Sequence, residues 1–167
     1  MVGFSSDYVA ALDRCKDFGD IFVLVKRAVK ELLGYERGGL MLYMADLPLH
    51  IGAFHGVGSN AIVMNRRLLN MVVRTTKSIR QINSFVFSIL MHEYLHSLGY
   101  LDEGRVRRLV YEVTRRILGE EHEATAIAIS GPVRALSVSE MPNDYVEKAG
   151  SPELVSDFDR SNQTYIS

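Results

Sequence analysis

The sequence predicts an α+β fold in which a short β-sheet packs against a central helix and further helices follow. Two short apolar runs, residues 40–44 and 61–64, are bounded by residues that favour turns, as strands are. Residues 78–98 are apolar on nearly every side, which is typical of a helix buried in a core. Residues 102–118 place their apolar side chains on one face, which predicts an amphipathic helix after the buried one.

The N-terminal part of the chain is predicted to be helical. A short helix over residues 6–16 would begin at Ser6 or Asp7, whose side chains can accept a hydrogen bond from a free backbone N–H. A second helix would be capped by Asp20 and end at Gly34, and helical spacing links its apolar residues Ile21, Leu24, Val25, Ala28 and Leu32.

The first strand, residues 40–44, is predicted to end before Pro48, and the glycine-rich residues 52–59 are predicted to form a loop or hairpin connection. Residues 61–64 form the second predicted strand, and Asn65 can cap a helix that runs through Val73. We expect the 61–64 strand to be either a plain core strand or an open sheet edge to which an extended peptide could pair.

The second half of the chain is predicted to be mostly helical. The buried helix should stop at Gly99, and the amphipathic helix that starts near Asp102 should end at Gly119. Residues 121–129 could form another short helix. We therefore predict one domain over residues 1–139. The segment 140–167 is acidic and is predicted to be poorly ordered, because it carries Glu140, Asp144, Glu147, Glu153, Asp157 and Asp159 against only Lys148 and Arg160.

Composition narrows the class of protein. The net charge is −1 and no basic aromatic stripe is present, so neither nucleic acid nor an anionic membrane is an expected partner. Cys15 is the single cysteine, which excludes an intrachain disulfide and a thiolate zinc site and favours a cytoplasmic location. Neither a signal peptide nor a membrane-spanning segment is predicted. The oligomeric state is left open.

Residues 92–96 read His-Glu-Tyr-Leu-His and lie inside the predicted buried helix. Residues i and i+4 of a helix share one face, so His92 and His96 can offer two imidazole nitrogens to one metal ion. Glu93 is next to His92, where it can act on a water molecule as a general base. This is the H-E-x-x-H arrangement of zinc peptidases, and burying two histidines and a glutamate without a metal would be costly.

The third metal ligand is ambiguous in the sequence. Gly99 permits a sharp turn after the helix, so that Asp102 could return to the metal. The run from His92 to Asp102 resembles the metzincin pattern, whose third ligand is usually His and sometimes Asp. Met141 would correspond to the methionine turn of that family. Asp102 is equally placed to be a helix N-cap.

His122 is the other candidate for the third ligand. The segment 92–103 also resembles small archaeal proteins grouped as predicted zinc-dependent proteases, in which a Gly-acid-acid-His segment similar to residues 119–122 follows the second helix. That resemblance implies a functional role for His122. Glu103 and Glu123, acids of the kind that gluzincins use, are less favoured, and His50 and His55 are expected to be surface residues of a loop.

The sequence therefore predicts a zinc-dependent peptidase on a small zincin-like core. Zn²⁺ would be held by His92 and His96 with Asp102 or His122, Glu93 would be the catalytic base, and the substrates would be peptides or unfolded proteins. The alternative is a non-catalytic zinc-binding or peptide-binding protein on the same scaffold.

Overall fold

The computed structural model of this chain describes residues 2–76, 78–131 and 151–160. Over those ranges six helices and a small four-stranded mixed sheet confirm the predicted α+β class. No helix in those ranges is both long enough and apolar enough to cross a membrane. The elements are α1 (Val2–Arg14), α2 (Phe18–Leu33), β1 (Met41–Ala45), β2 (Ala53–His55), β3 (Ala61–Asn65), α3 (Arg66–Thr75), α4 (Ile79–Ser97), α5 (Glu103–Leu118), α6 (Glu123–Ser130) and β4 (Glu153–Leu154).

Short polar side chains set where the helices begin. Asn65, Ser78 and Asp102 each accept a hydrogen bond from a backbone N–H of the helix that follows. The cap of α2 is Asp17 rather than the predicted Asp20, because the Asp17 Oδ1 accepts a hydrogen bond of 2.8 Å from the Asp20 backbone N–H. Gly34 ends α2 as predicted, at φ 81°, a conformation that glycine adopts without strain.

The sheet has the strand order β2-β3-β1-β4, with β3 parallel to β1 and β2 antiparallel to β3. Of the two alternatives predicted for residues 61–64, the plain core strand is confirmed and the open edge is wrong, since β3 is paired on both sides. The end strands of the described sheet are β4 and β2, and β2 is a three-residue strand from the glycine-rich segment 52–59. Three residues are too few to show an alternating apolar pattern, which is why the sequence did not predict this strand.

Helix α4 is the centre of the core. It packs against the other five described helices, α1, α2, α3, α5 and α6, and it also contacts β2. Its residues Leu90, Met91, Tyr94 and Leu95 have no solvent-exposed surface. Because α4 is fixed on so many sides, the backbone that carries His92 and His96 is held in place by the whole domain.

Part of the C-terminal segment packs onto the domain instead of being poorly ordered. β4 pairs antiparallel with β1, so that Leu154 is opposite Tyr43. Phe158 is buried and its ring stacks on Phe22, with centroids 4.3 Å apart. Residues 140–150 and 161–167 lie outside the described residues.

Charge pairing explains why an acidic composition did not keep residues 151–160 away from the domain. The Asp159 side chain is almost fully buried, binds the Lys26 ammonium group and accepts a hydrogen bond from the Leu40 backbone N–H. Arg160 binds Asp17 and Asp20 at the start of α2. A count of charges in the segment could not reveal these distant partners.

We expect Asp159→Asn to lower the free energy of unfolding by about 1–3 kcal/mol. One of the two carboxylate oxygens that accept from Lys26 and Leu40 is replaced by an amide N–H₂ group, which cannot accept a hydrogen bond. Glu153→Gln is the control. Its side chain is largely exposed where it meets Arg66, so the loss should stay below about 1 kcal/mol. Urea unfolding midpoints measure both variants. Equal effects would show that the Asp159 contacts contribute no more than a surface ion pair.

Candidate metal centre

Helix α4 places two histidine side chains side by side. His92 and His96 are one turn apart, and their ring centroids are 4.9 Å from each other. Both rings are mostly buried, with 19% and 14% of their side-chain surface exposed. The Nε2 atoms of both rings face the same carboxylate, which comes from α5.

That carboxylate is Glu103, the first residue of α5. Its Oε2 is 3.0 Å from His92 Nε2, and its Oε1 is 2.8 Å from His96 Nε2. The chain reverses between the helices at Gly99, whose φ of 105° favours glycine. One ligand atom from each of the three side chains lies within 4.8 Å of the other two, so this His-His-Glu cluster could bind a metal ion.

The protonation of His96 indicates which of its nitrogens is available. Its Nδ1 is 2.7 Å from the Tyr100 carbonyl oxygen, which can only accept, so Nδ1 carries the hydrogen. In the neutral ring, Nε2 then has a lone pair that points at a carboxylate oxygen of Glu103. Two lone pairs at that distance repel unless a proton or a metal ion lies between them. A backbone carbonyl that orients a histidine in this way is a common support for metal ligands.

The electrostatics of the cluster favour the protonation states of metal ligands. Burial is the main cause that lowers the pKa of His92. Glu103 acts to raise this pKa, while the nearby His96 and Arg107 act to lower it. Burial alone would raise the pKa of Glu103, but the two histidines outweigh it and keep that pKa below its usual value. A neutral imidazole and an ionised carboxylate are the forms that bind a metal.

Glu93 lies beside the cluster and is almost entirely buried. Burial is the main cause that raises its pKa to about 7, and the charge of Glu103 acts in the same direction while His96 opposes it. None of the described residues forms a hydrogen bond with its carboxylate. A buried, perturbed carboxyl group of this kind is typical of residues that accept and release protons during a reaction.

A pocket of about 250 Å³ opens at the cluster. His92, Glu93 and Glu103 line one part of it. Residues 50–53, the loop that leads into β2 and its first residue, line another. The remaining wall includes Arg107 and side chains of α5 and α6. The pocket therefore joins the cluster, a buried carboxyl group and the sheet edge.

The structure assigns other roles to the two predicted third ligands. Asp102 caps α5, with its Oδ1 2.8 Å from the Arg105 backbone N–H. His122 caps α6, where its Nδ1 accepts from the Ala124 backbone N–H at 3.0 Å, and its Nε2 is buried without a partner among the described residues. Neither belongs to the His-His-Glu cluster. Met141 lies outside the described residues.

Glu103 and His50 lie at the candidate site, although the sequence did not favour either residue as part of it. Glu103 directly follows the cap residue Asp102. The longer Glu103 side chain extends to His92 on α4, whereas the shorter Asp102 side chain caps α5. A glutamate directly after an N-cap aspartate, seven residues beyond the second histidine, was the available signal. His50 was expected to be a surface residue, and it is exposed but lines the pocket.

Comparisons of the chain with profiles of protein families, with curated proteins and with solved structures gave no match.

Proposed function

We propose that this protein is a zinc-dependent peptidase in which His92, His96 and Glu103 hold the metal and Glu93 is the general base. The observation that carries the proposal is the arrangement around one pocket. Two imidazole nitrogens and a carboxylate oxygen converge there, and a buried carboxyl group lies next to them. This is the set of groups that metal-assisted hydrolysis of a peptide bond requires.

The donor set favours zinc in a catalytic site. Two imidazoles and one carboxylate match the His₂Glu ligand set of zinc hydrolases. Ligand atoms of a tetrahedral zinc ion are about 3.3 Å apart. The two Glu103 oxygens lie 2.8 and 3.0 Å from the histidine nitrogens, and one ligand atom from each of the three residues lies within 4.8 Å of the others, which is the range that such a site needs. Among the described residues only these three ligands converge, which leaves a position for water or substrate. A structural site usually has four protein ligands, so the non-catalytic alternative has less support.

The protein's own groups would carry the proton transfers. When bound, zinc supplies Lewis acidity that polarises a carbonyl group and lowers the pKa of water. Glu93 would accept the proton of the attacking water and return it to the leaving amine nitrogen. Its burial keeps bulk water from competing for that proton. Tyr100 would hold the His96 ring in the tautomer that leaves Nε2 free to bind.

The position of β2 supports a peptide as substrate. β2 is an end strand of the sheet, and Ala53 at its start lines the pocket. An extended peptide can pair with such an edge through backbone hydrogen bonds. That pairing would lay the peptide across the pocket and bring a backbone carbonyl close to the cluster.

The proposal is tested by incubating the zinc-reconstituted protein with a peptide library and detecting cleavage by mass spectrometry. We expect cleavage that a chelator abolishes and added zinc restores. No cleavage of any library peptide, or cleavage that survives complete metal removal, would contradict the proposal.

A further inference from the structure

Arg107 is a charged side chain in the pocket that the proposed mechanism does not use. It lies one helical turn after Glu103, so both side chains are on the same face of α5. Both line the pocket, together with His92.

The guanidinium group has no anionic partner among the described residues. A glutamate four residues before an arginine on a helix is placed to form an ion pair with it. Here the two carboxylate oxygens of Glu103 face His92 and His96 instead, each at 3.0 Å or less. Glu103 is therefore occupied by the cluster, and Arg107 presents five unpaired N–H donors at the pocket wall.

The surroundings of Arg107 combine this positive charge with an apolar surface. Val110, Ile127 and Ala128 line the pocket on the same side, from α5 and α6. The loop before β2 lines another side. A ligand that fills this space would therefore carry an anionic group next to an apolar side chain.

We propose that Arg107 binds a carboxylate of the substrate beside the bond to be cleaved, and that the adjacent substrate side chain is apolar. The planar guanidinium group matches a carboxylate through two parallel hydrogen bonds. This assignment rests on the proposed function, since it names the substrate class of the same pocket. The carboxylate could be the C-terminus of a short peptide or an acidic side chain.

The kinetic test compares wild-type, Arg107→Gln and Arg108→Gln proteins, all loaded with zinc. Arg108 is exposed on the same helix but does not line the pocket, so its variant loses the same charge without touching the site. The substrates are a library peptide shortened to place the cleaved bond next to its C-terminus, the same peptide as an amide, and that amide with an aspartate beside the bond.

We expect the wild type to prefer a carboxylate-bearing substrate, through a lower KM. Arg107→Gln should lower kcat/KM for that substrate about tenfold or more and should lower kcat/KM for the plain amide much less. Arg108→Gln should behave as the wild type. Preference for the free acid identifies a C-terminal carboxylate, and preference for the aspartate-containing amide identifies a side chain. Equal rates on all three substrates, with no effect of Arg107→Gln, would overturn the proposal.

A binding measurement separates this proposal from the proposed function. The probe is an N-acetylated alanyl-leucine dipeptide, as free acid and as amide, titrated into zinc-loaded Glu93→Gln protein with Arg107 or Gln at position 107 and followed by calorimetry. Tighter binding of the free acid that depends on Arg107 would support the carboxylate site even if no peptide were cleaved. Binding of acid and amide with equal affinity would reject the site even if peptides were cleaved.

Discussion

Glu93→Gln is expected to lower the rate of peptide hydrolysis by about two to four orders of magnitude while zinc remains bound. An amide of nearly the same size replaces the carboxylate, so the packing around residue 93 is kept. The amide cannot accept a proton, which removes general-base catalysis. The three metal ligands are unchanged, so the stoichiometry of bound zinc should stay the same.

Steady-state kinetics on a cleaved library peptide, together with zinc analysis of the same samples, measures both effects. Glu112→Gln is a suitable control, because it removes an exposed carboxylate on α5 that forms only a surface pair with Arg115. That control should keep full activity. If Glu93→Gln retained close to wild-type activity, Glu93 would not be the general base and the proposed mechanism would be wrong.

Glu103→Ala is expected to weaken zinc binding by more than about a hundredfold, because it removes one of three ligands. Changes to residues that merely support ligands already cost about 10–100-fold in metal affinity. Competition with a coloured chelator of known affinity measures the loss. The stability of the metal-free protein should change little, since Glu103 is an exposed side chain at a helix start, where alanine is well tolerated.

Two control variants test the rival third ligands while keeping their helix caps. Asp102→Asn and His122→Asn both retain a side chain that can cap α5 or α6. We expect both variants to bind zinc as tightly as the wild type. If Asp102→Asn or His122→Asn lost zinc and Glu103→Ala kept it, the metal site would be built differently from the cluster described above.

Local signals in the sequence predicted most of the helices correctly. The apolar pattern of residues 78–98 predicted the buried helix α4, and Gly34 and Gly119 marked helix ends as expected. The strand β2 and the packing of residues 151–160 were not predicted. β2 has only three residues and is defined by its pairing with β3, whereas residues 151–160 depend on partners distant in the chain, such as Lys26 for Asp159. Local composition carries no information on such pairs.

The sequence predicted the candidate site only in part. The i, i+4 spacing alone places His92 and His96 on one face of a helix, so their proximity followed from the sequence. The third member depends on how α5 leaves the turn at Gly99 and on whether residue 102 or 103 points back to α4. Both residues are acidic, and a difference of one position at a helix start is decided by tertiary packing. The packing of α5 also brings Arg107 to the pocket, because Arg107 lies one turn beyond Glu103 on the same helix.

The most direct test of the metal centre is elemental analysis of the purified, metal-reconstituted protein beside its His92→Ala variant. We expect one tightly held equivalent of zinc in the wild type and none in the variant, because His92 Nε2 is one of the three converging ligand atoms. Wild-type protein that retained no zinc, or a His92→Ala variant that retained a full equivalent, would contradict the assignment of His92, His96 and Glu103 as a zinc site.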